Sequence, residues 1–158
     1  MKQLSIITIF LYLLMSVASA TTLDDVQGYY AAPSASCSYF EGDKLIPCGS
    51  DMKDCLVIKK LNDTTAEIQV SSTQTNLHVC DVRGAATLQG NDLIFLDPKA
   101  SDDVGQGLRI EIQKQKLVLG YLKPIKMQPP FCGMGAYLSR LEFKRRQKRP
   151  LGPECSGL

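Results

Sequence analysis

The sequence predicts an all-β protein, a small antiparallel meander that closes or partly closes into a β-barrel held by disulfides. Three observations favour this class: about eight or nine short segments of β-forming residues, tight polar turns between them, and no convincing helical periodicity. Turns this short favour pairing of sequential strands, because a parallel crossover needs about a dozen residues or more. A barrel removes exposed strand edges, so we prefer it to the alternative, a two-sheet sandwich.

The predicted strands follow one another along the chain. A short helical turn or a loose lead-in precedes them at residues 21–27. Residues 77–88 form a long central strand, with Cys80 and Val82 on one face and Val79 and Asp81 on the other. The other predicted strands are 28–32, 37–41 and 44–47 in a hairpin, 55–61, 66–71, 93–96, 108–113, 117–122 and 137–143.

Residues 1–20 have the three parts of a secretory signal peptide. Lys2 supplies the positive charge, residues 4–17 are almost wholly apolar, and Ala18-Ser19-Ala20 places small residues at the cleavage site. A membrane anchor is the alternative, but the apolar run is shorter than the roughly 20 residues that a span needs. We therefore expect cleavage after Ala20 and a periplasmic or secreted protein. One β-rich domain at 21–146 and a basic, irregular tail at 147–158 follow.

All six cysteines lie after the predicted cleavage site, and an even number in an exported chain favours disulfides. Fifteen pairings are possible. Local spacing favours Cys37 with Cys48 across the hairpin. We expect the stretch 131–137 to meet the central strand, and a Cys80–Cys132 bridge would then tie the centre of the chain to the last strand. Cys55 is then left with Cys155. No Cys-x-x-Cys occurs, and one histidine cannot complete the usual Cys/His zinc patterns, so we expect no metal and no cofactor.

Two constellations could carry catalysis. His78 and Cys80 share a face of the central strand beside Asp81, but an exported cysteine in an even set is expected to be oxidised and not a nucleophile. Adjacent aspartates occur at 24–25 and 102–103, whereas glycoside hydrolysis needs carboxyl groups about 5–10 Å apart across a cleft. The sequence has no Gly-x-Ser-x-Gly, no His-Glu-x-x-His and no phosphate-binding loop. We expect a protein without enzymatic activity.

Charge is unevenly placed along a chain whose net charge is only +2. The first third is acidic, and the end is basic. If the protein is exported, its basic segment does not meet nucleic acid, so an anionic envelope surface is the better partner. The alternative is a solvated tail that binds nothing. The basic residues are Lys144, Arg145, Arg146, Lys148 and Arg149.

A motif spans the later half of the chain. It reads His78-x-Cys80-x-x-x-Gly84, then Leu88-x-Gly90 and an apolar strand, then Phe131-Cys132-Gly133 with Ala136. This pattern resembles a group of small exported bacterial proteins, some of them similar to periplasmic lysozyme inhibitors. The resemblance implies a periplasmic β domain that binds protein and does not catalyse. The Ser-Gly-x-x-Tyr loop of the better-defined inhibitors is absent, so no inhibitory residue carries over.

These observations lead to one hypothesis and two rivals. The leading hypothesis is a barrel that inserts a rigid loop, 98–107 or 123–135, into the cleft of a peptidoglycan-directed hydrolase such as lysozyme or a toxin. Phe131 and Met134 could instead plug the barrel end. The rivals are an envelope-binding or assembly factor that uses the basic tail, and a cell-wall hydrolase with unmarked carboxylates. The predicted binding residues are Asp102, Asp103, Met127, Phe131 and Met134.

Overall fold

The computed structural model describes residues 21–34, 37–49, 51–98, 107–123, 131–133, 136–152 and 155. These residues form a four-residue helix, ten strands and two 3₁₀ turns at Thr75–Leu77 and Arg145–Gln147. No helix in these ranges is long and apolar enough to cross a membrane. The helix and strands are α1 (Leu23–Val26), β1 (Gly28–Pro33), β2 (Ser38–Glu41), β3 (Lys44–Pro47), β4 (Lys53–Lys60), β5 (Thr65–Thr73), β6 (Val79–Gln89), β7 (Asp92–Leu96), β8 (Gly107–Ile112), β9 (Lys116–Tyr121) and β10 (Glu142–Lys144).

Eight of the strands form one antiparallel sheet in the order β1-β4-β5-β6-β7-β8-β9-β10, and β2 pairs with β3 in a separate hairpin. The sheet is therefore a meander into which the hairpin is inserted after β1. The outermost strands β1 and β10 lie close together, and Tyr29 in β1 forms a β-bridge with Arg149. The predicted all-β meander is confirmed, and the sheet is a nearly closed barrel.

Alternation along each strand places the core inside this barrel. In β4 the side chains of Leu56 and Ile58 are fully buried, and in β5 the same holds for Ile68 and Val70. Burying an aliphatic side chain of this size contributes roughly 1.5–3 kcal/mol. Inward-facing leucine and isoleucine residues of β7, β8 and β9 complete the core: Leu93, Leu108, Ile110, Ile112, Leu117 and Leu119.

Helix α1 closes one end of the barrel. Leu23 and Val26 are buried, and the hydroxyl of Tyr30 in β1 donates a 2.6 Å hydrogen bond to the carbonyl oxygen of Val26. Burial raises the pKa of this hydroxyl to about 12. On the surface Lys60 pairs with Asp24 at 2.6 Å, which fixes the helix to the end of β4.

The three predicted disulfides are all present: Cys37–Cys48, Cys55–Cys155 and Cys80–Cys132. The second attaches the chain end to the outer face of β4. There Gln69 donates a hydrogen bond to the Cys155 carbonyl and accepts one from its amide. Arg149 also exchanges two backbone hydrogen bonds with Tyr29, at 3.0 and 2.9 Å. The described part of the segment 147–158 thus contacts the barrel.

Two predicted strands are shorter than expected. Strand β6 begins at Val79 because Asn76 and Leu77 adopt left-handed backbone angles, with φ of 57° and 59°, and end the extended chain. The last strand is only Glu142–Lys144, so the predicted range 137–143 is wrong over residues 137–141. Arg140 has φ of 72°, so the chain turns before β10.

Candidate functional site

Because neighbouring strands are antiparallel, successive loops lie at alternate ends of the barrel. Strands β5, β7 and β9 finish at the end where β4, β6 and β8 begin, because all neighbours are antiparallel. We call this the hairpin end, since the β2–β3 hairpin leaves β1 and enters β4 there. The opposite end carries α1 and the Arg145–Gln147 turn, and we call it the helix end.

Both predicted binding loops leave the barrel at the hairpin end. β7 ends at Leu96 and β8 begins at Gly107, and β9 ends at Tyr121 before the second loop. Of the predicted binding residues, only Phe131 is described. The other four, Asp102, Asp103, Met127 and Met134, lie outside the described residues, so their role in binding stays a prediction.

Phe131 is half-buried and packs against the core. Its ring meets that of Phe95 edge to face, with centroids 5.7 Å apart and planes at 66°. Such an aromatic pair contributes about 0.5–1.5 kcal/mol beyond its buried area. Its backbone φ of 70° is unusual for a bulky residue. The ring therefore helps to fill the barrel at the hairpin end.

Residues 131–133 continue the sheet beside the start of β6. The Asp81 amide donates to the Phe131 carbonyl at 2.9 Å, and the Gly133 amide donates to the Val79 carbonyl at 3.2 Å. Between these two bonds lies the Cys80–Cys132 disulfide. A methyl group on Gly133 would lie 2.8 Å from Nδ1 of His78, so the glycine allows the imidazole to pack on the backbone.

This arrangement bears on the predicted chemistry of His78, Cys80 and Asp81. The Cys80 sulfur is fully buried and bonded to Cys132, so it is not available as a thiolate. Burial raises the pKa of the Asp81 carboxyl, and the nearby Arg83 opposes that shift. In the described part of the chain, no three histidine, cysteine, aspartate or glutamate side chains come together as a metal site.

The hairpin itself presents apolar side chains to solvent. Phe40 and Leu45 are directly opposite each other in the β2–β3 register, so they share a face, and they are 58% and 56% exposed. The Cys37–Cys48 disulfide and a 3.1 Å bond from the Cys48 amide to the Cys37 carbonyl close the base of the hairpin. The pair is therefore held on a disulfide-closed ribbon whose two strands, among the described residues, pair only with each other.

A second exposed apolar element lies beside the hairpin. The Thr75–Leu77 turn is adjacent to β2, and Leu77 and Val79 are both nearly half exposed. The left-handed backbone of Leu77 costs roughly 1–2 kcal/mol. A bond from the Gln74 amide to the His78 carbonyl at 2.9 Å spans the turn. We call the exposed apolar side chains of the Phe40–Leu45 face, of this turn and of the start of β6 the hairpin surface: Phe40, Leu45, Leu77 and Val79.

Buried polar groups lie beneath the same end. The Gln74 side-chain amide donates to the Ser72 hydroxyl at 3.2 Å and to the backbone carbonyl of Tyr137. The Tyr137 amide donates back to the Gln74 side-chain oxygen at 2.7 Å. These bonds fasten the chain after residue 135 across the barrel mouth.

Asp54 lies in the same polar layer and is almost fully buried. It faces Ala32 of β1 on one side and is adjacent to Ser72 of β5 on the other. Burial raises the pKa of its carboxyl, while hydrogen bonds to Ser72 and Ser34 oppose the shift. Its Oδ1 atom has no hydrogen-bond partner among the described residues.

The predicted basic residues lie at the other end of the barrel. An open groove of about 600 Å³ at the helix end is lined by both β8–β9 turn and β10 side chains. Lys148 and Arg149 follow at the same end, where the Lys148 ammonium donates to the Asp25 carbonyl at 3.1 Å. The cations lining the groove are Lys114, Lys116, Lys144, Arg145 and Arg146.

The sequence prediction did not include the hairpin surface among the binding residues. The signal was present in the two short strands, because each has adjacent apolar residues, Tyr39-Phe40 and Leu45-Ile46. Adjacent residues in a strand point to opposite faces. A ribbon with apolar residues on both faces can pack only one of them on the barrel, so the other face must be exposed.

The fold and the hairpin end define this protein as a disulfide-linked, barrel-like β protein with an exposed apolar ribbon. Compared with known proteins, the chain matches no family model, and it has no significant match among curated proteins or solved structures. The resemblance to periplasmic lysozyme-inhibitor-like proteins therefore stays a prediction.

Proposed function

We propose that this protein is an exported, non-enzymatic binding protein that docks a protein partner at its hairpin end. The observation that carries the proposal is the Phe40–Leu45 pair, two exposed apolar side chains in register on a disulfide-closed ribbon. Exposed apolar groups of this kind supply binding energy when a partner removes them from water.

Rigidity at the hairpin end supports this function. The Cys37–Cys48 bridge holds the ribbon, and the Cys80–Cys132 bridge holds residues 131–133 against β6. An element that is ordered before binding loses less conformational entropy on association. Each apolar contact with the partner therefore contributes to affinity, because little free energy is lost in ordering the ribbon.

The partner that we propose is a peptidoglycan-directed hydrolase such as lysozyme or a toxin, which the protein blocks by filling the substrate cleft. A narrow two-stranded ribbon with exposed side chains fits a cleft better than a flat surface does. The basic groove does not oppose this choice, because it lies at the helix end. A cationic hydrolase bound at the hairpin end is kept away from those charges by the length of the barrel.

The test is inhibition of lysozyme-type hydrolases by the exported, oxidised protein, measured as the rate of cell-wall lysis, with Kd from titration. Phe40→Ser combined with Leu45→Ser should weaken binding by at least about 2 kcal/mol, or roughly thirtyfold in Kd, because both side chains would be central contacts. Leu61→Ser is the matched control, since Leu61 is 53% exposed but lies in the turn after β4 at the helix end.

Two results would overturn the proposal. One is a double variant that inhibits as well as the natural protein does. The other is release of soluble fragments from purified cell wall by the protein alone, which would favour the rival hydrolase.

A further inference from the structure

Two lysines face each other across the last two strands. Lys116 in β9 and Lys144 in β10 are directly opposite in the register, so their Cβ atoms lie about 4.5–5.5 Å apart. Like charges in this position destabilise a sheet. The ammonium of Lys116 pairs with Glu142 at 2.6 Å, which leaves Lys144 exposed beside it.

More cations converge on this pair from neighbouring turns. Lys114 lies in the β8–β9 turn, and Arg145 and Arg146 follow β10, so that all of them line one groove. Among the residues that the structure describes, Glu142 is the one acid that lines the groove, and its carboxylate pairs with Lys116. Within the described ranges, Lys114, Lys144 and Arg146 form no ion pair.

The geometry of the groove is fixed by the backbone. The Arg145 amide donates to the Gln115 carbonyl at 2.9 Å, which joins the turn after β10 to the turn before β9. The Arg145 guanidinium donates to the carbonyl oxygens of Gln113 and Asp25, both at 3.4 Å. The fold thus fixes Arg145 and places the backbones that carry the other cations side by side.

The positive field extends to the neighbouring helix. The pKa of the exposed Asp25 carboxyl is lowered, first by hydrogen bonds from Thr22 and further by the charges of Arg145 and Lys148. This electrostatic influence agrees with the groove geometry. A convergent set of cations with one engaged acid is a site for anions.

We propose that the helix end docks on the phosphate headgroups of an anionic lipid bilayer. The cations come from several elements around an open groove, which suits many weak contacts with a surface of phosphates better than one enclosed ligand. The groove also lies opposite the hairpin surface. A barrel standing on a membrane by its helix end would present the hairpin end outward, where a partner can reach it.

The test is sedimentation of the exported, oxidised protein with vesicles of phosphatidylglycerol in phosphatidylcholine. Lys114→Gln, Lys144→Gln and Arg146→Gln together should lower the partition coefficient about a hundredfold, at roughly fivefold per cation. These side chains are exposed and form no ion pair with other described residues, so the fold should be retained. Binding by the natural protein should also decrease steeply when the salt concentration is raised.

The matched control removes three exposed lysines at the hairpin end, with Lys44→Gln, Lys53→Gln and Lys123→Gln. It changes the net charge equally and should bind vesicles as the natural protein does. Equal losses in both triple variants would show attraction by net charge alone and overturn the proposal. Equal binding to pure phosphatidylcholine, or stronger binding to duplex DNA or inorganic phosphate than to vesicles, would also overturn it. None of these results depends on whether the hairpin end binds a hydrolase.

Discussion

Asp54 is a carboxyl side chain that the fold buries, although aspartate is normally exposed to solvent. It follows the inward alternation of Leu56 and Ile58 along β4, so its carboxyl points into the barrel and not into solvent. Hydrogen bonds to Ser34 and Ser72 satisfy only part of its capacity, because Oδ1 has no partner among the described residues. An unpaired buried polar group costs roughly 1–3 kcal/mol.

We predict that Asp54→Asn stabilises the protein at neutral pH. The pKa of Asp54 in the folded protein is raised above its ordinary 3.8, so in the window above about pH 4 the folded state binds more protons than the unfolded state. Stability therefore decreases as pH increases through that window. The neutral amide cannot ionise, so the variant should gain roughly 1–3 kcal/mol at pH 7 and little at pH 3.

Urea denaturation at a series of pH values measures this effect. Asp51→Asn serves as the control, because Asp51 is exposed in the turn just before β4. A pH dependence for Asp54→Asn identical to that of the natural protein would contradict the prediction.

At the scale of elements, two disulfides fasten pieces that the sheet alone would hold weakly. Cys55–Cys155 attaches the chain end to β4, and Cys37–Cys48 closes a hairpin that belongs to a separate two-stranded sheet. An isolated hairpin is at best marginally stable in water. The hairpin therefore needs its bridge locally, whereas the bridge to Cys155 restrains most of the chain.

We predict that the two bridges differ in their contribution to global stability. Cys55 and Cys155 are 100 residues apart, and Cys37 and Cys48 are 11 apart. The chain-entropy relation then gives about 4.7 kcal/mol for the first bridge and about 2.8 kcal/mol for the second. Replacing both cysteines of a pair with alanine, followed by denaturant unfolding, should show the larger loss for Cys55/Cys155.

The hairpin pair is the control for loss of a bridge as such. An equal or larger loss for Cys37→Ala with Cys48→Ala would contradict the assignment of a mainly local role. It would mean that the hairpin supports the barrel instead of projecting from it.

At the scale of the whole molecule, the meander could be predicted, because turn lengths and local alternation are properties of neighbouring residues. Of the three disulfides, only Cys37–Cys48 follows from local spacing, because the bridges over 52 and 100 residues depend on which distant segments meet. The burial of Asp54 could not, since its inward direction depends on where β4 begins, and the residues before it suggest a turn. The basic groove was found only in part. Lys144–Arg146 were evident as a run, but Lys114 and Lys116 join them through strand pairing that the sequence does not display.

The same limit applies to the hairpin surface. In the sequence Phe40 and Leu45 are typical strand residues. They are exposed because the hairpin forms a two-stranded sheet separate from the main one. Predicting that the two candidate sites lie at opposite ends of the barrel likewise requires the complete strand order. The eight residues of β4 alone span about 23 Å from first to last.

That distance leads to a final prediction, which depends on both proposed binding activities. Substitutions more than about 7–10 Å apart with no shared partners usually add within roughly 0.5 kcal/mol. A variant that combines Phe40→Ser and Leu45→Ser with the three glutamine substitutions at the groove should therefore show both losses, each unchanged within about twofold. Hydrolase titration measures the first loss, and sedimentation with anionic vesicles measures the second. A larger change in either constant would mean that the barrel couples its two ends.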